Sequence, residues 1–292
     1  MAVHFTILGS GSGGNCALLE CGDTRILIDA GFSGKQIRQR MAAINRSPET
    51  LSGILITHEH SDHIQGLLGI AAKTGIKLYC NRLTKEAIEA QFKTTFQCQI
   101  FITGNSFEIG EMEVDTFSVP HDAYDPVGFL IKTDCGNIGF LTDLGHATKM
   151  VVERIRRSHI LVLETNHDHK MLQDDVKRPW SVKQRILSRH GHLSNEAAAD
   201  VLEQVVSPAL RKVFLGHLSR DCNKPELARK AIVSRLEKMQ AEHIEVEVTS
   251  QDHSSPTLTL HELLPIPVMQ TSPEFLATTS FPSATPLLPG FL

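Results

Sequence analysis

Aromatic residues are scarce in this chain of 292 residues: one Trp, two Tyr and 13 Phe, 5% in all. Hydrophobic residues still reach 41%, so a sizeable core is available but must be mainly aliphatic. The six cysteines, at positions 16, 21, 80, 98, 135 and 222, form no C-x-x-C pair. The chain is also too long for a small disulfide-stapled secreted domain. No apolar run approaches the ~18 residues that a membrane helix needs. The opening MAVHFTILGSGSGG lacks the basic region and apolar run of a signal peptide. The expectation is a soluble cytoplasmic protein with reduced thiols and no membrane partner. Positive charge is not in excess either, with 29 Lys and Arg against 33 Asp and Glu and a formal charge of −4. That excludes a protein that coats nucleic acid through bulk positive charge, but not a local basic groove.

The chain is long enough for one large α/β domain or two small ones. Strands are expected at 3–8, then at 16–21 and 25–29 as a hairpin turning at Gly22-Asp23. A helix at 33–44, a short buried strand at 53–57 and a helix at 63–73 closed by Gly75 come next. Further strands are expected at 76–80, 112–119, 127–133, 137–142, 160–164, 213–215 and 244–248, and helices at 83–92, 147–156, 195–206 and 225–239. Between them, 166–189 is polar and basic. Strands first, then alternating strands and helices, suit a sheet sandwich with helices outside. From 264 to 292 the chain becomes rich in Pro, Ser and Thr with almost no charge, the composition of a disordered tail, leaving 1–263 as the folded domain.

What the chain does have is 15 histidines, several at metal-ligand spacings. His58-Glu59-His60-Ser61-Asp62-His63 comes after a buried strand and opens a helix. In extended backbone, residues two apart point the same way, so His58 and His60 can grip one cation. Asp62 and His63, one turn on, can face a second. Imidazole suits zinc, and carboxylate suits zinc or manganese. Clustering these groups without a cation would be costly. His121, Asp143 and His217 each terminate an apolar run, where a sheet delivers side chains to one rim. Asp29 likewise ends RILID. The segment Gly9-Ser10-Gly11-Ser12-Gly13-Gly14-Asn15 formally satisfies a dinucleotide-binding G-x-G-x-x-G. The stretch after it, NCALLECGDTRILID, reads as a hairpin rather than a helix, so no nucleotide cofactor is expected.

In this order of motifs, over about residues 3–260, the sequence resembles the metallo-β-lactamase superfamily. The resemblance implies a four-layer αββα sandwich and two divalent metal ions, zinc or manganese. It implies that His58, His60 and His121 bind the first, that Asp62, His63 and His217 bind the second, and that Asp143 bridges them. Asp29 would orient the motif loop without binding metal. Two such metals can generate a hydroxide and clamp the oxygens of an in-line displacement, which favours phosphodiester cleavage.

Further segments narrow the resemblance. Glu164-Thr165-Asn166-His167-Asp168, Gly191-His192-Leu193-Ser194-Asn195, VPHDAYDPVGF, RPWSVKQRI and LGHLSRDCN are similar to the WalJ/YycJ group, which implies a 5′-to-3′ DNA exonuclease. Thr165 and Gly14 depart from that pattern, where Ser is expected. GHLSN is also similar to the histidine motif of tRNase Z, which makes His192 the candidate general acid and Glu164 its orienting partner. An RNA-processing nuclease of that type remains an alternative. So does a hydrolase of small lactones, thioesters or cyclic phosphodiesters. Asp62 would both hold a metal and orient the nucleophile. Phosphate contacts are expected from Ser10, Ser12, Asn15, His167, Ser194, Asn195, Ser219 and Asn223, and a basic stripe from the lysines and arginines of 170–189 and 220–230. Nothing in the residues specifies an oligomeric state.

Overall fold

The structure, a computed structural model, describes residues 2–261. The boundary expected at 263 and the Pro/Ser/Thr-rich segment 264–292 lie outside the described residues. The strands are β1 (Val3–Gly9), β2 (Cys16–Cys21), β3 (Thr24–Ile28), β4 (Gly53–Leu55), β5 (Leu78–Cys80), β6 (Cys98–Ile100), β7 (Ser106–Ile109), β8 (Met112–Ser118), β9 (Val127–Thr133), β10 (Gly136–Leu141), β11 (Ile160–Glu164), β12 (Lys212–Gly216), β13 (Glu245–Val248) and β14 (Leu258–Leu260). The helices are α1 (Gly34–Ala43), α2 (Ser61–Ile64), α3 (Leu67–Thr74), α4 (Arg82–Phe92), α5 (Lys149–Ile155), α6 (His169–Asp174), α7 (Trp180–Ile186), α8 (Asn195–Val205) and α9 (Pro225–Lys238).

Two seven-stranded sheets run in the orders β14-β1-β2-β3-β4-β5-β6 and β13-β12-β11-β10-β9-β8-β7. Each changes character part-way across. In the first, β14-β1-β2-β3 pair antiparallel and β3-β4-β5-β6 parallel. In the second, β7-β8-β9-β10 pair antiparallel and β10-β11-β12-β13 parallel. The period-2 alternation of the strands decides the layering. Phe5, Ile7, Leu19, Val162 and Phe214 face the space between the sheets. Leu18 and Leu27, one step out of phase, pack under α1 and α3. Leu161, Leu163, Val213 and Leu215 pack under α5, α8 and α9. Strands buried on both faces sit between helix layers on either side, which is the expected four-layer αββα sandwich.

Three expectations are corrected. The helix expected at 63–73 is interrupted, with α2 ending at Ile64 and α3 starting at Leu67. The Gly66 N–H donates to Ala30 O at 2.7 Å, and a Cβ on Gly66 would lie 2.4 Å from Phe32 O. The chain therefore dips against the loop after β3, and only glycine permits the approach. The polar stretch 166–189 contains α6 and α7, which burial of Leu172 and Lys183 holds down. Strands β6, β7 and β14 were not expected, because they are short and largely polar or half-exposed edge elements. The described residues contain no disulfide, and no helix among them is long and apolar enough to cross a membrane.

Phe214 is fully buried between the sheets, 5.7 Å from Phe5 in an edge-on pair. Phe214→Ala is expected to cost about 3–5 kcal/mol, read as a lowered urea midpoint with unchanged m.

Candidate active site

Parallel strands end together at one rim, and each end carries a polar residue. Asp29 follows β3, His58 follows β4, Asp143 follows β10, Glu164 closes β11 and His217 follows β12. His121 arrives on the loop after β8. Asp29, Asp143 and His217 all adopt left-handed backbone, with φ of 59°, 57° and 56°. The conformation costs about 1–2 kcal/mol for a residue with a Cβ. It turns the chain sharply away from the strand just beyond these three side chains.

The Nδ1 atoms of His58, His63, His121, His217 and His192 all have partners, which assigns a proton to each. His58 Nδ1–H donates to Thr57 Oγ1 at 3.0 Å, and the Thr57 hydroxyl donates to Asp29 Oδ2 at 2.9 Å. His63 Nδ1–H donates to Asp29 Oδ2 at 2.8 Å. Asp29 also accepts the Thr57 N–H at 2.9 Å, so this fully buried carboxylate ties down the start of the HEHSDH loop. His121 Nδ1–H donates to Gly191 O at 3.1 Å. His217 Nδ1 lies 3.1 Å from Glu164 Oε1, and His192 Nδ1–H donates to the same oxygen at 2.7 Å. Glu164 Oε2 accepts the N–H groups of Leu144 and Leu193 at 3.0 and 3.2 Å. Burial opposes ionisation of Glu164, but His192 and His217 outweigh it and hold its carboxyl below the usual range.

With those nitrogens engaged, the opposite nitrogens converge. His121 Nε2 and His60 Nδ1 are 3.3 Å apart. His217 Nε2 lies 3.2 Å from Asp62 Oδ2 and 3.3 Å from Asp143 Oδ1, and His63 Nε2 lies 3.1 Å from Asp143 Oδ2. His58 Nε2 is buried with no hydrogen-bond partner. Two ligands about 2.0–2.1 Å from a tetrahedral zinc are about 3.3 Å from each other. The spacing, the orphaned nitrogen and the mixed nitrogen and carboxylate donors therefore fit divalent metal ions. Donor atoms within 4.8 Å of one another group as His58, His60 and His121, as Asp62, His63 and His217, and as His58, His63 and Asp143. The electrostatics agree. Burial opposes protonation of His63 and His217, yet the carboxylates around them, Asp143 first, push both well above the ordinary imidazole value. Burial of Asp143 is likewise outweighed by His217 and His63, which hold its carboxyl well down.

These groups open into a cavity of about 190 Å³, walled on its far side by Val182, Arg185 and Ile186 of α7, with His192 at its edge. Of the expected phosphate contacts, only Ser12 lines this cavity. All of the others except His167 are engaged elsewhere. Ser10 Oγ donates to Asn15 Oδ1 and accepts His217 N–H, so the glycine loop braces the site from behind. Asn15 Nδ2 donates to Gly11 O at 3.1 Å and lies 3.2 Å from His63 Nε2. Asn195 and Asn223 exchange hydrogen bonds at 2.9 and 2.8 Å. Ser194 caps α8 by accepting Ala197 N–H, and Ser219 accepts Cys222 N–H. His167 is buried, with neither ring nitrogen hydrogen-bonded, and burial pushes its pKa down to about 4. Part of the basic stripe is engaged locally: Lys170 pairs with Asp174, Lys177 with Asp221, Arg178 with Asp175, and Lys183 is buried against Gln173 O.

Sequence reasoning missed four supports. Thr57 relays Asp29 to His58, and its one signal was its place directly before the motif. Asn166 Nδ2 donates to His217 O at 3.0 Å. The Gly191 carbonyl orients His121 through a backbone contact with no side-chain signature. Gly31 packs so closely that a Cβ would fall 1.7 Å from Asp62 O.

A family model for the beta-lactamase superfamily domain matches residues 24–217. The chain belongs to the metallo-β-lactamase superfamily. Within it, the chain is 39% identical over 236 residues to exodeoxyribonuclease WalJ of Streptococcus pneumoniae, covering 80% of this chain and 87% of that one. It is 37% identical over 239 residues to exodeoxyribonuclease YycJ of Bacillus anthracis, covering 81% and 90%. Its membership of the WalJ/YycJ group, expected from the ETNHD and GHLSN segments, is thereby established. The metallo-β-lactamase fold protein YhfI of Bacillus subtilis shares the fold at 15% identity, with a TM-score of 0.66 over 87% of this chain and 98% of that one.

Asp29→Asn keeps the side chain's size and tolerates the left-handed backbone, but it places an amide where two acceptor oxygens serve Thr57 and His63. Metal affinity is expected to fall about 10–100-fold, measured by competition with a chromophoric chelator, while the circular dichroism spectrum is retained.

Proposed function

We propose that this chain is a metal-dependent phosphodiesterase that degrades DNA from an end in the 5′-to-3′ direction, using two divalent ions, zinc or manganese. The observation that carries the reading is the convergence of the metal donor set and the His192–Glu164 pair on one cavity. The names of the relatives support DNA as the polymer. His58, His60 and His121 would hold one ion, Asp62, His63 and His217 the other, with Asp143 between them. When bound, such ions supply positive charge to the phosphoryl oxygens and make water nucleophilic near neutral pH.

The remaining work falls to side chains of this protein. Asp29 and Thr57 hold the imidazoles of His58 and His63 with their lone pairs inward. Glu164 does the same for His217, so one carboxylate sets both a metal ligand and the proton donor. Asp62 accepts a hydrogen bond from the attacking water and aligns it with phosphorus. His192, with Nδ1–H bonded to Glu164, presents Nε2 to the cavity and gives its proton to the departing oxygen. Burial opposes protonation of His192, but Glu164 and Asp143 outweigh it and raise its pKa, which keeps the donor loaded.

The test is digestion of end-labelled single- and double-stranded DNA, and of matched RNA, with zinc or manganese. Metal-dependent release of nucleotides from DNA, lost in Asp62→Ala, is expected. Robust metal loading with no cleavage of any nucleic acid would overturn the nuclease reading. His192→Ala is expected to lower the rate on DNA about 10²–10⁴-fold. On bis(p-nitrophenyl) phosphate, whose leaving group needs no proton, its loss should be much smaller. Because His63 and His217 hold protons in the metal-free protein, metal uptake should release them. Apparent metal affinity is then expected to rise with pH, read by calorimetry in buffers of different ionisation enthalpy.

A further inference from the structure

Helix α7 covers the metal-facing cavity, yet neither metal binding nor proton transfer by His192 uses it. It is braced against the site. A Cβ on Gly191 would lie 2.1 Å from Ile186 O, and His192 N–H donates to Ile186 O at 2.9 Å. The same Gly191 carbonyl orients His121. The last turn of α7 is thus held at a set position relative to two site histidines, and that turn carries Arg185.

Arg185 lines the cavity, and its Nε–H donates to Asp122 Oδ2 across the mouth. Asp122 sits beside the site, its Oδ1 lying 3.4 Å from His121 Nε2. The Arg185 side chain is nonetheless 65% exposed. A guanidinium has two hydrogen-bonding edges, and a carboxylate on Nε leaves the terminal edge able to fork onto a phosphate. Lys170 and Lys183, the neighbouring cations of α6 and α7, are paired or buried, so Arg185 is the cation of this segment that reaches the cavity wall.

We propose that Arg185, aimed by Asp122, grips the backbone phosphate adjoining the scissile one, and so selects a polynucleotide strand over a small phosphodiester. The proposal rests on the nuclease reading and names the contact that makes the substrate a polymer. Asp122 is a positioning residue, and Arg185 touches the substrate.

The experiment measures steady-state kinetics on single-stranded DNA and on bis(p-nitrophenyl) phosphate, with oligonucleotide affinity by anisotropy in the inactive Asp62→Ala background across a salt series. Arg185→Ala should raise KM for DNA about tenfold or more, the effect of one lost charge-assisted hydrogen bond. The loss of kcat/KM on DNA should exceed that on the small ester by at least about tenfold, and the slope of log affinity against log salt should fall by about 0.7, one single-strand phosphate contact. Arg185→Lys should restore the slope but recover KM only in part, because it keeps the charge and loses the fork. Asp122→Asn should raise KM for DNA without reducing the slope. An unchanged KM and salt slope in Arg185→Ala would overturn the proposal while leaving the nuclease standing. A parent protein inactive on DNA with either ion would overturn both.

Discussion

Lone pairs that face one another inside a protein repel, and the metal-facing rim depends on how that repulsion is resolved. Four imidazoles spend their outer N–H groups on Asp29, Thr57, Glu164 and the Gly191 carbonyl, which forces the opposite nitrogens inward toward Asp62 and Asp143. In the metal-free protein, the carboxylates around them, Asp143 first, hold His63 and His217 well above the ordinary imidazole range, and their protons relieve the crowding. Cations relieve it better, because each can be shared by several donors at once. The outer partners therefore matter as much as the inward-facing groups. Without them the rings would turn, and the donor set would disperse.

The sandwich makes that arrangement possible. Each sheet is antiparallel on one side and parallel on the other, and the C-terminal ends of the parallel strands meet along one rim. A strand buried on both faces can present polar chemistry only at its ends. Asp29, Asp143 and His217 show the local consequence, since each takes up left-handed backbone where its strand stops. The glycines that matter most permit close approach: Gly31 lets Asp62 settle, and Gly66 breaks the helix that would otherwise carry the HEHSDH loop away from β3.

Electrostatics at the cavity mouth is local. A chain with a net charge of −4 does not draw a polyanion by bulk attraction. Several of the basic residues that looked like a stripe are neutralised by Asp174, Asp175 and Asp221. What remains at the mouth is a positioned guanidinium, whose usefulness comes from geometry rather than from charge count.

The spacing within HEHSDH, and the polar residue closing each apolar run, determined by themselves that this chain gathers metal-binding groups at the ends of sheet strands. Short-range periodicity is enough for that, because a strand alternates and a turn comes after it regardless of what packs against it. The pattern also placed β9 and β11 at their observed bounds, whereas a supporting role for Asp29 came from the family resemblance and not from the pattern. Only the tertiary structure decided which polar residues face the cavity. Asn195 and Asn223 look like phosphate ligands in sequence, but they pair with each other. Glu164 serves His217 as well as His192, and Lys177 and Arg178 are both met by Asp221 from beyond β12. Each of these outcomes is a contact between residues far apart in the chain, and hydrogen-bond competition among such residues has no periodicity to read.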